Sequence, residues 1–330
     1  MKRIFVYEHL SAGGELAGEL SAAHSADADA LLAMGRQMRD AIVVDLLGLE
    51  NYGVTVATCK RASQVPRPAH AVLAQDGESA FEFVARQSLA HDLAWVIAPE
   101  TDGLLSRFRQ CVTHGRWLGC DVPAIALTTS KRRTLLRLAD AGIATPLAFE
   151  GTTGINRWVM KPDDGAGATA TRLHRTLASA VIASRCTLAN AAMEVEPWVE
   201  GEALSLSLLC SREGARLLSV NRQQLDIDAQ GTVSFLGVAV NVMARADPRF
   251  AALSALAESI GEAIPGLRGF VGVDVVWHLQ RGPVVIEINP RVTCAYAGLS
   301  ASLGRNLARE VIDAHDHADA MAPAPGMAHA

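Results

Sequence analysis

GFVGVDVVWHLQRGPVVIEINPR, residues Gly269 to Arg291, is the stretch from which the rest of the 330-residue chain can be read. Two apolar runs, Phe270–Trp277 and Val284–Asn289, flank a polar break containing Gly282, which is the signature of a β-hairpin. A symmetric turn centred between Gln280 and Arg281 places Asp274 directly opposite Glu287. Asn289, two residues farther on, then shares their face. Opposed cross-strand residues lie roughly 5 Å apart at Cβ, where like charges are destabilising. Neither strand contains a Lys or Arg, so a hard cation is the expected partner: Mg²⁺ takes oxygen ligands, typically one or two carboxylates plus substrate phosphates. The alternative is a pair of rim carboxylates facing water, with Pro290 simply ending a strand.

Bulk properties narrow the classes. Half of the residues are apolar, enough for a sizeable core, and the length suits one large or two to three small domains. The net charge of −5, with Lys and Arg dispersed, excludes an obvious nucleic-acid surface. No apolar run approaches the roughly 18–20 residues of a membrane span. The opening MKRIFVYEHL superficially resembles a signal peptide, but Glu8 and His9 interrupt its apolar run, so it reads as a first β-strand of a cytoplasmic protein. The six cysteines form no CxxC pair and read as reduced thiols.

Residues 1–122 read as a domain of alternating strands and helices, with strands at Ile4–Tyr7, Val54–Thr58 and Leu93–Ala98 and helices at Ala26–Leu47, Phe81–Ala90 and Leu104–Thr113. That alternation argues for a parallel sheet, with ligands outside the carboxyl ends of its strands. Glu8, His9, Ser11, Gly13, Gly14, Glu100 and Thr101 fall on this edge. Thr128–Lys131 then opens a helix that ends at Gly142. A lysine at the positive end of a helix dipole is unfavourable unless an anion relieves it. After the strand Trp158–Met160 comes Lys161-Pro162-Asp163-Asp164-Gly165-Ala166-Gly167, a Gly/Ala loop whose N–H groups could cradle phosphates. After the stretch Met193–Val199, strands at Leu204–Cys210, Arg216–Val220 and Phe235–Val242, a helix at Arg249–Ile264, the opening hairpin and a last helix at Ala301–Ala314 complete the chain. The tail 315–330 reads as disordered.

Asp274, Glu287 and Asn289 within VDVVW…VVIEINPR resemble the metal end of the ATP-grasp superfamily, and three further stretches follow that family's order. The resemblance implies an α/β fold (α+β in the later lobes) of three lobes with an N-terminal, Rossmann-like pre-ATP-grasp domain. The boundaries expected are 1–122, 123–200, 201–314 and the tail 315–330. It also implies roles. Asp274, Glu287 and Asn289 hold Mg²⁺, for which Mn²⁺ could substitute. Lys131 reaches the ATP phosphates. Lys161 contacts the α-phosphate and the adenine side, and the loop with Gly165 and Gly167 folds over the β- and γ-phosphates. Glu196, Trp198 and Val199 form the adenine hinge, with Val199 the preferred donor because Pro197 has no N–H. Glu202, or Glu200 after it in preference, binds the ribose. Arg222 is a further candidate for phosphate and Gln224 for substrate.

The reaction class implied is ATP-dependent joining of a carboxylate to an amine through an acyl phosphate. Lys161, Asn289 and Arg291 are the candidate catalytic residues, since Arg291 could hold the carboxylate or the acyl-phosphate oxyanion bidentately. The strings VYEHLSAGG (6–14) and EINPRVTCAYAGL (287–299) resemble the carboligase branch that includes tyramine–glutamate ligase of methanofuran biosynthesis. That branch implies glutamate and tyramine or tyrosine as substrates, with methylofuran the bacterial counterpart. Other small amino-acid ligases, polyglutamate ligases and a nucleotide-binding regulator without turnover are the alternatives. The expected partners are small molecules, with neither nucleic acid nor membrane, and a homodimer is compatible.

Overall fold

The computed structural model describes residues 1–14, 26–152, 155–165, 167–186 and 192–320. The first lobe contains β1 (Lys2–Glu8), α1 (Ala26–Leu47), β2 (Tyr52–Ala57), β3 (His70–Val72), α2 (Ala80–Ala90), β4 (Leu93–Ile97) and α3 (Leu104–Cys111). Its four strands are all parallel, in the order β3–β2–β1–β4. Ile4, Phe5, Val6 and Tyr7 are buried in succession, as a parallel strand covered on both faces requires. The expected alternation holds, with β3 added. That strand is three residues long and follows Pro66 and Pro68, too short for a periodic signal.

Next come α4 (Val122–Thr129), α5 (Lys131–Asp140), β5 (Trp158–Pro162), β6 (Arg172–His174), α6 (Leu177–Cys186) and β7 (Met193–Pro197). The three strands form a small antiparallel sheet, β6–β5–β7. Helix α4 was not anticipated, because VPAIALTT is apolar nearly all round and carries no 3.6-residue pattern.

The largest sheet is β10–β9–β8–β11–β12, antiparallel throughout, built from β8 (Glu202–Ser211), β9 (Gly214–Ile227), β10 (Val233–Ala239), β11 (Gly269–His278) and β12 (Gly282–Asn289), with α7 (Pro248–Ala263) between β10 and β11. One face is apolar: Leu204, Leu206, Leu208, Val220, Val271, Val273 and Val275 are buried with Leu253, Ala257 and Ile260 of α7. The other face carries the polar residues described below.

The last helix divides into α8 (Leu299–Leu303) and α9 (Leu307–Ala320). Gly304, at φ +61°, ends the first, and the Asn306 side chain accepts the Arg309 N–H (2.9 Å) to start the second. These helices share a core with the first lobe, where Leu299, Leu307, Val311 and Ile312 pack with Ile4, Val6, Ile42 and Leu46. Tyr296 donates to the Asp45 carboxylate of α1 at 2.7 Å, and Ser300 donates to the same group. Residues 315–320 of the expected tail continue α9, while 321–330 lie outside the described residues. Among the described residues no helix is long and apolar enough to cross a membrane.

Candidate active site

Asp274 and Glu287 are direct cross-strand partners, and Asn289 pairs with Gly272 one step along the same face. The route to this register differs from a symmetric turn. His278 pairs with Gly282 and Val275 with Val285, so the hairpin is centred on Gln280; Ile286 then bulges out of the ladder. The bulge turns Glu287 onto the face of Asp274, which regular alternation from the observed turn would have given to Ile286.

The face continues across the sheet. Asp274 pairs with Ser205 and Ser205 with Asn221; Gly272 pairs with Ser207 and Ser207 with Ser219. Ser205, Ser207, Ser219 and Asn221 are buried. The Asn221 amide donates to Ser207 Oγ (3.0 Å) and Ser205 O (3.1 Å), and its carbonyl accepts from Ser219 Oγ (3.0 Å) and the Asn241 N–H (2.9 Å). Gln223 hydrogen-bonds the Asp274 carboxyl. Sequence reading singled out Arg222 and Gln224 and passed over Gln223, although the period-two alternation of polar residues in Ser205-Leu-Ser207 and Ser219-Val-Asn221 carried the signal.

Cations reach the carboxylate pair from outside the hairpin. Lys131 Nζ lies 3.5 Å from Glu287 Oε1 and donates to Gly165 O at 3.0 Å. Lys161, on β5, is buried and paired with Glu196 Oε1 of β7 at 2.7 Å. Burial alone would lower the Lys161 pKa, but Glu196, Glu287 and Asp274 outweigh it and hold it above its ordinary value. Asp274 is pushed up to about 7 by burial first and by the Glu287 charge second. The lysines therefore leave the pair short of positive charge. Two carboxylates and an amide, all oxygen donors on one face, suit a hard divalent cation.

The amino end of α5 is already satisfied. Lys131 N donates to Asp163 O (2.8 Å), Arg132 N to Asp163 Oδ1 (2.8 Å) and Arg133 N to Ser130 Oγ (3.2 Å). The anion that relieves this helix end is Asp163, and Lys131 turns its ammonium toward Glu287. Gly165 (φ +108°) and Gly167 (φ +73°) let the loop turn where other residues would be strained. Ala166 lies outside the described residues. Asp164 Oδ2 accepts the Asp102 N–H at 2.9 Å, which docks this loop on the first lobe.

At the expected hinge, the Trp198 N–H is taken by Arg157 O (3.0 Å), whereas among the described residues the Val199 N–H has no acceptor. Two buried side-chain atoms here, Glu196 Oε2 and Trp198 Nε1, also lack partners. Glu202 is held by Arg222 (2.7 Å) and Arg249 (2.6 Å), and Glu200 by Arg157 (2.6 Å). Both carboxylates considered for ribose thus already hold arginines, and Arg222 faces Glu202. Gln224 pairs with Gly237 of β10.

Arg291 forms a bidentate pair with Glu100, Nε–Oε1 3.0 Å and Nη2–Oε2 2.9 Å. Glu100 lies in the loop just past the carboxyl end of β4, so the expected ligand edge of the first lobe and the EINPR hairpin meet here. Glu8 and His9 of the same edge serve the fold. The Glu8 carboxylate accepts the Leu10 and Ser11 N–H groups (3.1 and 2.7 Å), and His9 packs between Tyr7 and Phe108.

The sequence matches the model of the ATP-grasp domain over residues 128–295, just over half of the chain, and that of the pre ATP-grasp 3 domain over 52–125. No curated protein matches it significantly. Among solved structures, an ATP-grasp superfamily protein from Archaeoglobus fulgidus is similar at 21% identity, covering 95% of this chain and 88% of that one with a TM-score of 0.67. The D-alanine–D-alanine ligase of Bacillus anthracis is similar at 13% identity, covering 96% and 98% at a TM-score of 0.61. The L-amino acid ligase of Bacillus licheniformis is similar at 15% identity, covering 96% and 74% at 0.62. With a parallel first lobe, two antiparallel sheets after it and these matches, the chain belongs to the ATP-grasp family and carries its fold behind a pre-ATP-grasp domain.

Proposed function

We propose that this protein is an ATP-dependent ligase that joins a carboxylate to an amine, forming an amide through an acyl phosphate. The observation that carries the proposal is the opposed pair Asp274/Glu287, on which Lys131 and Lys161 converge and whose charge those lysines leave incompletely offset. Asp274, Glu287 and Asn289 would hold Mg²⁺, which neutralises phosphate oxygens during transfer. Lys131 and Lys161 offset phosphate charge, and the N–H groups around Gly165 and Gly167 cradle the phosphates. The open Val199 N–H donates to the adenine edge beside Glu196 and Trp198. Glu202 binds ribose by sharing its carboxylate with Arg222 and Arg249. Phosphoryl transfer needs position and charge from the protein more than covalent chemistry. The substrate carboxylate attacks the γ-phosphorus and ADP departs; the amine then attacks the acyl carbon and phosphate departs. Arg291, held in place by Glu100, orients the carboxylate through its remaining N–H groups.

Glutamate, through its γ-carboxylate, with tyramine or tyrosine are the substrates we favour, in a methanofuran- or methylofuran-type biosynthesis. The support is the pair of strings at 6–14 and 287–299 together with an arginine on the edge where an anionic substrate would sit. Some of those residues have architectural work, since Tyr296 faces α1 and Glu8 binds its own loop. A second reading, another amino-acid ligase, is favoured by the similarity to D-alanine–D-alanine and L-amino acid ligases over nearly the whole chain. The deciding assay is ADP and phosphate release from Mg·ATP with L-glutamate, with and without tyramine or tyrosine, and mass spectrometry of the product. An amine-dependent glutamyl amide supports the first reading. Turnover only with pairs of other amino acids supports the second, and no turnover with any pair removes the ligase assignment.

A further inference from the structure

At the end of the large sheet where β8 finishes and β11 begins, a cavity of about 430 Å³ lies where three parts of the chain meet. The first lobe supplies Arg109, Trp117, Gly119 and Asp121; the β8 and β11 ends supply Arg212 and Arg268; α9 closes it with Val311 and His315. None of these residues belongs to the candidate active site. A second hollow of about 390 Å³ adjoins it and shares Arg109, His114, Asp121 and Arg268.

The lining is cationic. Three arginines and one carboxylate, Asp121, line it, and Asp121 lies 3.6 Å from Arg268 Nη2. Arg268 also donates to Ser211 O (3.1 Å) and Leu267 O (2.7 Å), so backbone carbonyls fix its orientation. Arg212 is exposed and, among the described residues, has no acidic partner. Arg109 is the telling residue. It is only 6% exposed, it stacks over Trp117 at 5.4 Å, and one Nη1–H donates to Val112 O at 2.9 Å. Its Nε is buried with no partner. A charged donor left buried and unsatisfied is costly, and no described residue answers it. Gly119 lets the backbone lie against the Trp117 ring of the wall, since a Cβ there would come within 2.9 Å of the indole nitrogen.

We infer that this cavity is a binding site for a small polyanion bearing phosphate or carboxylate groups. Arg109, Arg212 and Arg268 supply fork-shaped donors that match such groups bidentately. Opposing Asp121 leaves a surplus of two positive charges, which fits a dianion. Gly269 at the cavity and Asp274 at the active site are five residues apart on β11, roughly 17 Å along the strand. A bound anion would thereby join the first lobe, the strand that carries Asp274 and α9 at one point.

The test is titration calorimetry of the full chain with sodium pyrophosphate and, separately, citrate, at an ionic strength held constant with sodium chloride. Wild type, Arg212→Ala and Lys131→Ala are compared, the last reporting any pyrophosphate held at the nucleotide site. The expected result is saturable binding that weakens about tenfold in Arg212→Ala, stays unchanged in Lys131→Ala, and leaves ATP turnover of Arg212→Ala intact. Stronger binding of pyrophosphate identifies a phosphate ligand; stronger binding of citrate identifies a polycarboxylate. The inference is overturned if neither anion binds wild type, if Arg212→Ala binds as wild type does, or if only Lys131→Ala loses binding.

Discussion

Arg291 and Glu100, 191 residues apart in sequence, meet in a two-pronged ion pair that ties the loop after β12 to the loop after β4. Both side chains are nearly buried, so this pair belongs to the class whose rupture is expensive. Burial alone would lower the Arg291 pKa; Glu100 reverses that and keeps it above its ordinary value.

Glu100→Ala should therefore lower unfolding stability by about 3 kcal/mol, read as a fall in the urea midpoint, because it strands a buried guanidinium. Glu100→Met with Arg291→Met should recover most of that loss. A double variant no more stable than the single one would show that the pair is not its source.

Glu287→Gln should fold normally by circular dichroism and lose Mg·ATP turnover by at least about a hundredfold, since it removes one of two opposed carboxylates while keeping the side chain's shape. Wild-type turnover in this variant would sink the metal assignment.

Lys161→Met should both weaken ATP binding about tenfold or more and lower the melting temperature, because Glu196 is left buried and unpaired. Adding Glu196→Met should restore the melting temperature but not the affinity. Recovery of both would make Lys161 a purely structural residue.

His9 makes a prediction about acid. Burial lowers its pKa from 6.5 to about 4, so between those values the unfolded chain binds a proton that the native chain refuses. Stability should fall as pH drops through that window, by about 3 kcal/mol when complete. Glu8, whose pKa burial raises, acts in the opposite sense. The comparison is wild type against His9→Phe by urea unfolding at pH 7 and pH 4.5. Equal losses in the two proteins would exclude His9 as the source.

Much of this architecture could be read in advance because the informative residues are locally patterned. Successive apolar residues mark β1 and β4, and the carboxylates inside β11 and β12 are conspicuous against valine and isoleucine. Lys131 and Lys161 sit at element ends where they are noticed. The partners those residues choose were not legible, because they are set by packing between distant segments. Asp163 caps α5, Glu196 takes Lys161, Glu100 takes Arg291 and Glu202 takes two arginines, and none of these pairings leaves a mark in spacing. Gln223 differs: the alternation through Ser219 and Asn221 marks its face, but that this face meets Asp274 depends on the strand order β9–β8–β11. The Asp274/Glu287 opposition was found from a turn half a residue out of place, and the bulge at Ile286 compensated.

That bulge separates two jobs a hairpin usually performs together. Because the extra residue lies between the turn and Glu287, the orientation of the carboxylate is set beside the site and not by the loop at 279–281. Val285 and Ile288 can both face inward although they are three apart, and Glu287 and Asn289 both face the opposite way. The loop is thus free to drift in length and composition over evolutionary time, while Ile286 is the position at which one inserted or deleted residue changes what the strand presents. A designer copying this hairpin by strict alternation from its turn would build it inside out from Glu287 onward.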